Sequence, residues 1–177
     1  MRRLLFILAI ALLASPMARG DGGDSTTFRS ADGAYQLVLP KPWESADFHV
    51  DAVQIGAVNK QTGEYVELIA ENIQDYTDSL IQYADAKRDM MALSLDNPHL
   101  TPGQSVTVNG LPAIHYEIHG QLPGTDISVG YVLTILKTKT HYIQVIGWTK
   151  ESLFAANQPD LGQLPTKFSE TGAGQNN

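Results

Sequence analysis

Alternation of apolar and polar residues dominates the chain and predicts a protein built mainly from β-strands. Tyr35, Leu37 and Leu39 recur at every second position after a Gly-containing turn, so one face of an early strand is apolar. Two prolines within residues 40–42 lack backbone donors and should end this strand. Because residues 21–25 are polar and rich in glycine, the folded part of the chain is expected to begin near residue 27.

Two hairpins are predicted from turn residues that separate apolar runs. Gln61-Thr62-Gly63 follows a strand pattern over residues 53–58 and precedes another apolar run. Asn109-Gly110, the strongest short hairpin signal in the chain, is followed by a strand pattern over residues 113–119. The period of two therefore continues into the second half of the chain.

One strong helix is predicted, with Thr77 or Asp78 as its cap and Asn97-Pro98 as its end. Lys87 falls within the apolar stripe, and its stem should pack while its amine reaches water. The two methionines of the stripe are expected to fill the core. The stripe has spacings of three and four and consists of Leu80, Tyr83, Ala84, Met90 and Met91.

The strands expected at residues 127–136 and 141–148 are apolar at nearly every position. Strands of this kind are usually covered on both faces. The helix can cover one face, and a segment from residue 151 through Phe168 can cover the other. The predicted class is α+β, with an antiparallel sheet of about six or seven strands layered between helices as an α/β/α sandwich. A single domain over residues 27–170 accounts for the pattern.

Several of these stretches resemble known domains. Gly33-Ala34-Tyr35-Gln36-Leu37, running into Pro40 and Trp43, is similar to the opening strand of PsbP-like and Mog-like domains. Residues 108–113 and 142–149 resemble their central hairpins, and Phe168 lies where such domains close with a helix.

The resemblance spans roughly residues 27–169 and implies an antiparallel sheet between helices. It also implies an accessory role, because the known members are extrinsic photosystem II subunits, Ran-binding factors and secreted bacterial lipoproteins. It brings no catalytic motif to this chain.

The amino terminus has the order of a secretory signal peptide, predicted over residues 1–20. A basic start precedes an apolar run over residues 4–14, and small residues follow at 18–20. The run is too short to span a bilayer, so no stable membrane insertion is expected after cleavage. Residues 21–26 are then a flexible lead-in and residues 171–177 a disordered tail. The expected location is periplasmic or secreted, by the general secretory route.

Charge and cysteine content narrow the classes of function. Removing the signal leaves nine basic against 19 acidic residues, a net charge of −10. Such a surface repels nucleic acid and anionic lipid. The absence of cysteine excludes a disulfide scaffold, a thiol enzyme, a thiolate metal site and an acylated lipoprotein cysteine. No cofactor is expected.

A possible metal site lies on the strand containing His115, Glu117 and His119, which share one face while Tyr116 and Ile118 face the core. Adjacent members of this set lie ~7 Å apart and the two histidines ~13 Å apart. One ion could be shared by a His–Glu pair, but a complete site needs a further ligand from a neighbouring segment, such as His141 or an aspartate. The alternative is a solvated polar face with one cross-strand ion pair.

Other candidate residues are weaker. No nucleophile elbow, zinc-protease helix motif or phosphate loop is present. Glu67 and Glu71 are expected on the exposed face of a strand. Trp43 is expected to plug the end of the sheet, with exposure as a partner-binding anchor as the alternative. Lys137 and Lys139 form a basic pair at a hairpin tip, which serves solubility or an acidic partner.

Three hypotheses follow for function. The first is a non-enzymatic accessory or binding protein of the bacterial cell envelope that contacts an unknown envelope protein. The second is a periplasmic protein that binds a metal or small ligand on the face of His115, Glu117 and His119. The third is a hydrolase whose catalytic residues meet only in space.

Overall fold

The computed structural model describes residues 24–171. The predicted signal peptide lies outside this range, as do residues 21–23 of the lead-in and 172–177 of the tail. Within the described range, neither helix has the length and apolar character needed to cross a bilayer.

Residues 24–171 form eleven strands and two α-helices. The strands are β1 (Ser25–Arg29), β2 (Tyr35–Pro40), β3 (Glu44–Ser45), β4 (Val53–Asn59), β5 (Glu64–Asn72), β6 (Asp96–Leu100), β7 (Gln104–Val108), β8 (Leu111–Gln121), β9 (Ser128–Lys137), β10 (His141–Lys150) and β11 (Phe168–Glu170). The helices are α1 (Leu80–Ala92) and α2 (Glu151–Gln163), and short 3-10 turns lie at Ile73–Asp75 and Leu164–Lys167.

Eight strands form one antiparallel sheet in the order β3-β4-β5-β10-β9-β8-β6, and β7 pairs with β8 beside β6. The α+β class is therefore confirmed. The large sheet has eight strands where about six or seven were expected, and β1, β2 and β11 form a further three-stranded sheet. Phe168 begins β11 and pairs with Leu37 of β2. The expectation that Phe168 lies in a closing helix was wrong.

Each face of the large sheet packs against its own apolar layer. On one face, residues such as Tyr116 and Leu133 pack with Tyr83 and Ala84 of α1. On the other face, α2 and the three-stranded sheet together form the cover. This second layer includes Leu37 and Leu39 of β2, Val145 of β10, and Phe154 and Leu161 of α2. Both faces of the central strands are buried, which explains why β9 and β10 are apolar almost throughout.

Helix α1 differs from its prediction at both ends. Its cap is Ser79, whose side chain accepts a hydrogen bond from the Gln82 backbone amide, and the Gln82 side-chain oxygen accepts one from the Ser79 backbone amide. These two bonds form a capping box. The helix ends at Ala92, and Asn97-Pro98 belongs to β6, which pairs with β8. Met90 is 44% exposed and does not fill the core. The helix ends earlier than its local stop signal predicted, because the residues that follow it form β6 and pair with β8.

The Asn109-Gly110 hairpin between β7 and β8 is confirmed. Both residues have positive φ, +52° and +80°, as a two-residue turn of this type requires. The Asn109 side chain also donates to the carbonyls of Thr166 and Phe168. At the start of the fold, β1 begins at Ser25, two residues earlier than expected, because it pairs along the whole of β2.

Candidate functional site

Strand β8 carries the three residues expected to share one face. Tyr116 and Ile118 are fully buried toward α1, and His115, Glu117 and His119 lie half-buried on the opposite face. That face lies partly against α2 and is half-solvated, and its ion pair joins His119 to Glu151 of the helix and not to another strand. We call this face of β8 the seam; Glu117 and His119 bond to α2, and His115 bonds to Thr134 of β9.

His119 contacts the first turn of α2. Its Nδ1 lies 2.8 Å from a carboxylate oxygen of Glu151, and its ring meets Phe154 edge-on with centroids 4.5 Å apart. Phe154 in turn lies on the backbone of Gly130 in β9, where a side chain would collide with the ring. These contacts fix where α2 begins and how closely it approaches the sheet.

His115 and Glu117 have partners of their own. His115 Nδ1 lies 3.0 Å from Thr134 Oγ1 on the neighbouring strand. Burial lowers the pKa of the His115 imidazole, against an opposing effect of the Glu117 charge. Gln158 of α2 donates to Glu117 Oε1 at 2.9 Å. Each polar group of this face is thus bonded to a different neighbour.

The structure does not bring the three residues together as a metal centre. Within residues 24–171, no three histidine, aspartate or glutamate side chains lie close enough to share an ion. His141, one of the proposed extra ligands, begins β10, where its Nδ1 lies 2.9 Å from Thr140 Oγ1 and its ring meets Tyr35. The seam therefore holds α2 in place and offers no preformed ion site.

The polar cluster beneath α1 was not predicted from the sequence. Lys87 Nζ lies 2.5 Å from Glu71 Oε2, and Gln144 donates to the same oxygen at 3.1 Å. The Tyr83 hydroxyl also donates to Glu71. Burial acts to raise the pKa of Glu71, but the hydrogen bonds from Lys87 and Tyr83 outweigh it and keep the pKa below its usual value.

A second contact holds the middle of α1. The Tyr116 hydroxyl donates to Asp85 at 2.9 Å, and Arg88 lies 3.0 Å from the same carboxylate and over the Tyr116 ring. Asp85 thereby joins a sheet residue to a helix residue. Asp85 and Glu71 are thus each bonded to both a cation and a tyrosine hydroxyl.

Glu67 is the most perturbed carboxyl group on the α1 face. It is 9% exposed, and burial raises its pKa to about 7, while the nearby Trp148 indole acts in the opposite direction. Trp148 Nε1 is itself buried and has no hydrogen-bond partner among residues 24–171. Burial and the Glu67 charge raise the pKa of Tyr131. The expectation that Glu67 and Glu71 line an exposed face was wrong.

The sequence carries only part of the signal for the burial of Glu67. Glu67 pairs with Ile146 of the neighbouring strand β10. Strand β10 is apolar at nearly every position. A carboxyl group in that register has an apolar neighbour. The register itself depends on pairing between distant strands, which is why the burial was missed.

The proposed partner-binding residues have different surroundings. Trp43 is 6% exposed and belongs to the core on the α2 side, so it plugs the sheet and is not an exposed anchor. Lys137 Nζ lies 5.7 Å from the centre of the Tyr142 ring. Lys139 is exposed at the tip of the β9–β10 hairpin. Of the three, Lys139 is the residue that a partner could reach directly.

Comparison with known proteins identifies the fold. No protein-family model and no curated protein sequence matches the chain. The solution structure of cyanobacterial PsbP (CyanoP) from Synechocystis matches with a TM-score of 0.62 and 13% identity, over 89% of this chain and 98% of that one. The chain therefore has the fold that its sequence resembled, the PsbP/Mog-like fold.

Two further structures show the same fold. The Ran-binding protein Mog1p of Saccharomyces cerevisiae matches with a TM-score of 0.54 and 11% identity, over 84% of this chain and 97% of that one. LpqN of Mycobacterium tuberculosis, involved in cell envelope biogenesis, matches with a TM-score of 0.53 and 11% identity, over 88% of each chain.

Proposed function

We propose that this chain is an exported accessory or binding protein of the bacterial cell envelope that acts by contact with another protein, without catalysis. The observation that carries this proposal is the extent of the fold likeness. The match with cyanobacterial PsbP covers 89% of this chain and 98% of that protein. The similar Mog1p is a Ran-binding protein, and LpqN takes part in cell envelope biogenesis.

The internal polar contacts support a binding role. His119 and Glu151 join α2 to the sheet, and Lys87 and Glu71 join α1 to it. These four ionisable side chains, which could otherwise serve catalysis or ligand binding, are thus engaged in contacts that hold the layers together. The result is a rigid platform whose outer surface is available for recognition.

The β9–β10 hairpin is the proposed contact for an acidic region of the partner. Lys139 is exposed at its tip, and Lys137 precedes it on β9. In a chain with an acidic surface, a local pair of cations favours an oppositely charged patch. The Tyr142 ring beneath Lys137 limits the motion of that side chain.

A pull-down tests this function. The chain without residues 1–20 is immobilised and exposed to envelope extract of the bacterium that produces it, beside an unrelated protein of equal net charge. We expect one envelope protein to be enriched severalfold, and Lys139→Glu to weaken its capture. Lys167→Glu makes the same change of charge at another exposed lysine and should leave capture intact.

The absence of any enriched protein contradicts the binding role. Export has its own readout, because the mass of the protein recovered from the periplasm or medium should correspond to a chain that begins at Asp21. Recovery only from the cytoplasm at full-length mass contradicts the proposed location.

A further inference from the structure

The large sheet has edges at which backbone groups can pair with another chain. It ends at β3 on one side, and at β6 and β7 on the other, where both pair with β8. No strand within residues 24–171 pairs with the outer side of β7. Natural sheets usually block such edges with charges, prolines, bulges or very short strands.

The edges at β3 and β6 are blocked in these ways. Strand β3 has two residues, and its Glu44 pairs with Lys60 at 2.6 Å. Strand β6 contains Pro98, and its register with β8 shifts between Asp96 and His99. Neither strand presents a regular row of backbone groups to a partner.

Strand β7 has none of these protections. Its five residues pair with β8 in unbroken register, from Gln104 opposite His115 to Val108 opposite Leu111. The strand contains no proline and no charged residue. Residues 104–107 are exposed, and Val106 retains 37% of its surface. A regular, uncharged and β-branched edge of this kind is suited to strand pairing.

The charge distribution favours a second copy of this chain as the strand that pairs there. Residues 97–116 contain no Asp, Glu, Lys or Arg. Two copies, each with a net charge of −7 over the full sequence and −10 without residues 1–20, repel each other over most of their surface and approach with the smallest penalty at such a region. A partner selected by charge complementarity finds no charge to recognise along β7.

We propose that β7 pairs antiparallel with β7 of a second copy about a two-fold axis at Val106. Such pairing places Val106 opposite its own counterpart, Ser105 opposite Thr107 and Gln104 opposite Val108, so like side chains meet at the centre of the strand pair. The two large sheets then form one continuous sheet. Because a five-residue strand pair is a small contact, the dimer is reversible. The inference is independent of the proposed function.

Sedimentation equilibrium of the chain without residues 1–20 tests the dimer over a range of concentrations. The weight-average mass should rise from that of the monomer toward twice that value. Val106→Lys places a charge on the axis opposite its own copy and should raise the dissociation constant at least tenfold. Ile127→Lys is the matched control, because Ile127 is also 37% exposed but precedes β9.

Hydrogen exchange of the unmodified protein gives a second readout that needs no variant. Amides of residues 104–107 that point outward from β7 should exchange more slowly as the protein concentration rises, while those of β6 should not change. A monomer at all concentrations overturns the proposal and leaves β7 to a strand of another protein. A dimer weakened equally by both lysine variants, or without concentration-dependent protection at β7, overturns it as well.

Discussion

Lys87 Nζ of α1 lies 2.5 Å from Glu71 Oε2 of β5. The Lys87 side chain is 15% exposed and that of Glu71 is 28% exposed, so water only partly screens the pair. The ammonium group also lies 5.5 and 5.1 Å from the ring centres of Tyr76 and Tyr83. Instead of extending its amine to solvent, Lys87 thus fastens the helix to the sheet.

Substitution Lys87→Met should lower the free energy of unfolding by about 2 kcal/mol, because it leaves the half-buried Glu71 without its cation. Urea unfolding at pH 7 measures the change. The double variant with Glu71→Gln should be less destabilised than the sum of the single variants. Lys60→Met, at an exposed pair with Glu44, should cost less than about 0.5 kcal/mol. Additive effects at residues 71 and 87 contradict this account.

The raised pKa of Glu67 predicts a specific pH dependence of stability. The folded protein holds this proton up to about pH 7, whereas the unfolded chain releases it near the usual value of 4.5. Between these values the folded state binds more protons, so the contribution of Glu67 to stability falls as pH rises and levels off above pH 7. Glu67→Gln remains neutral throughout and should remove this decline.

Urea unfolding at pH 5 and pH 8 checks the effect. Relative to the unmodified protein, Glu67→Gln should gain about 2 to 3 kcal/mol between the two pH values. Groups other than Glu67 titrate in both proteins, so their contribution to the free energy of unfolding cancels when the two proteins are compared. An equal pH dependence in both proteins means that Glu67 ionises normally in the folded state.

Much of the strand pattern could be predicted from local sequence. Tyr35, Leu37 and Leu39 are buried on one face of β2, and Asn109-Gly110 makes its hairpin, because period and turn chemistry are properties of neighbouring residues. The end of α1 could not be predicted in this way. Asn97-Pro98 has the local signature of a helix stop, but the chain leaves the helix earlier to pair β6 with β8.

The candidate site was predictable only in its local part. Strand periodicity places His115, Glu117 and His119 on one face, but the residues that cover this face come from α2, more than thirty positions later in the chain. The burial of Glu67 and Glu71 likewise depends on the register of β5 with β10. The direction of a side chain on a strand follows from local backbone geometry. Which element covers that side chain depends on how the layers pack in the folded protein.

Zinc titration tests whether the seam beneath α2 can open to form a metal site. The nitrogens Nδ1 of His115 and His119 are occupied by Thr134 and Glu151, and no third ligand converges on them among the described residues. We therefore expect calorimetry to give no saturable binding below millimolar zinc. Micromolar binding that disappears in the variant His115→Ala with His119→Ala contradicts this expectation and restores the metal hypothesis.

The approach of α2 to β9 depends on a glycine. A Cβ at Gly130 would overlap the Phe154 ring, which is buried beneath α2 and cannot swing away freely. Gly130→Ala should therefore lower the free energy of unfolding by about 1 to 3 kcal/mol. Gly162→Ala is the control within α2, where an added Cβ meets nothing within 4 Å, and it should stabilise by about 0.5 to 1 kcal/mol. Thermal and urea unfolding of both variants measure the difference. A neutral Gly130→Ala shows that α2 can shift outward at no cost, in which case the His119–Glu151 contact is not a fixed feature of the fold.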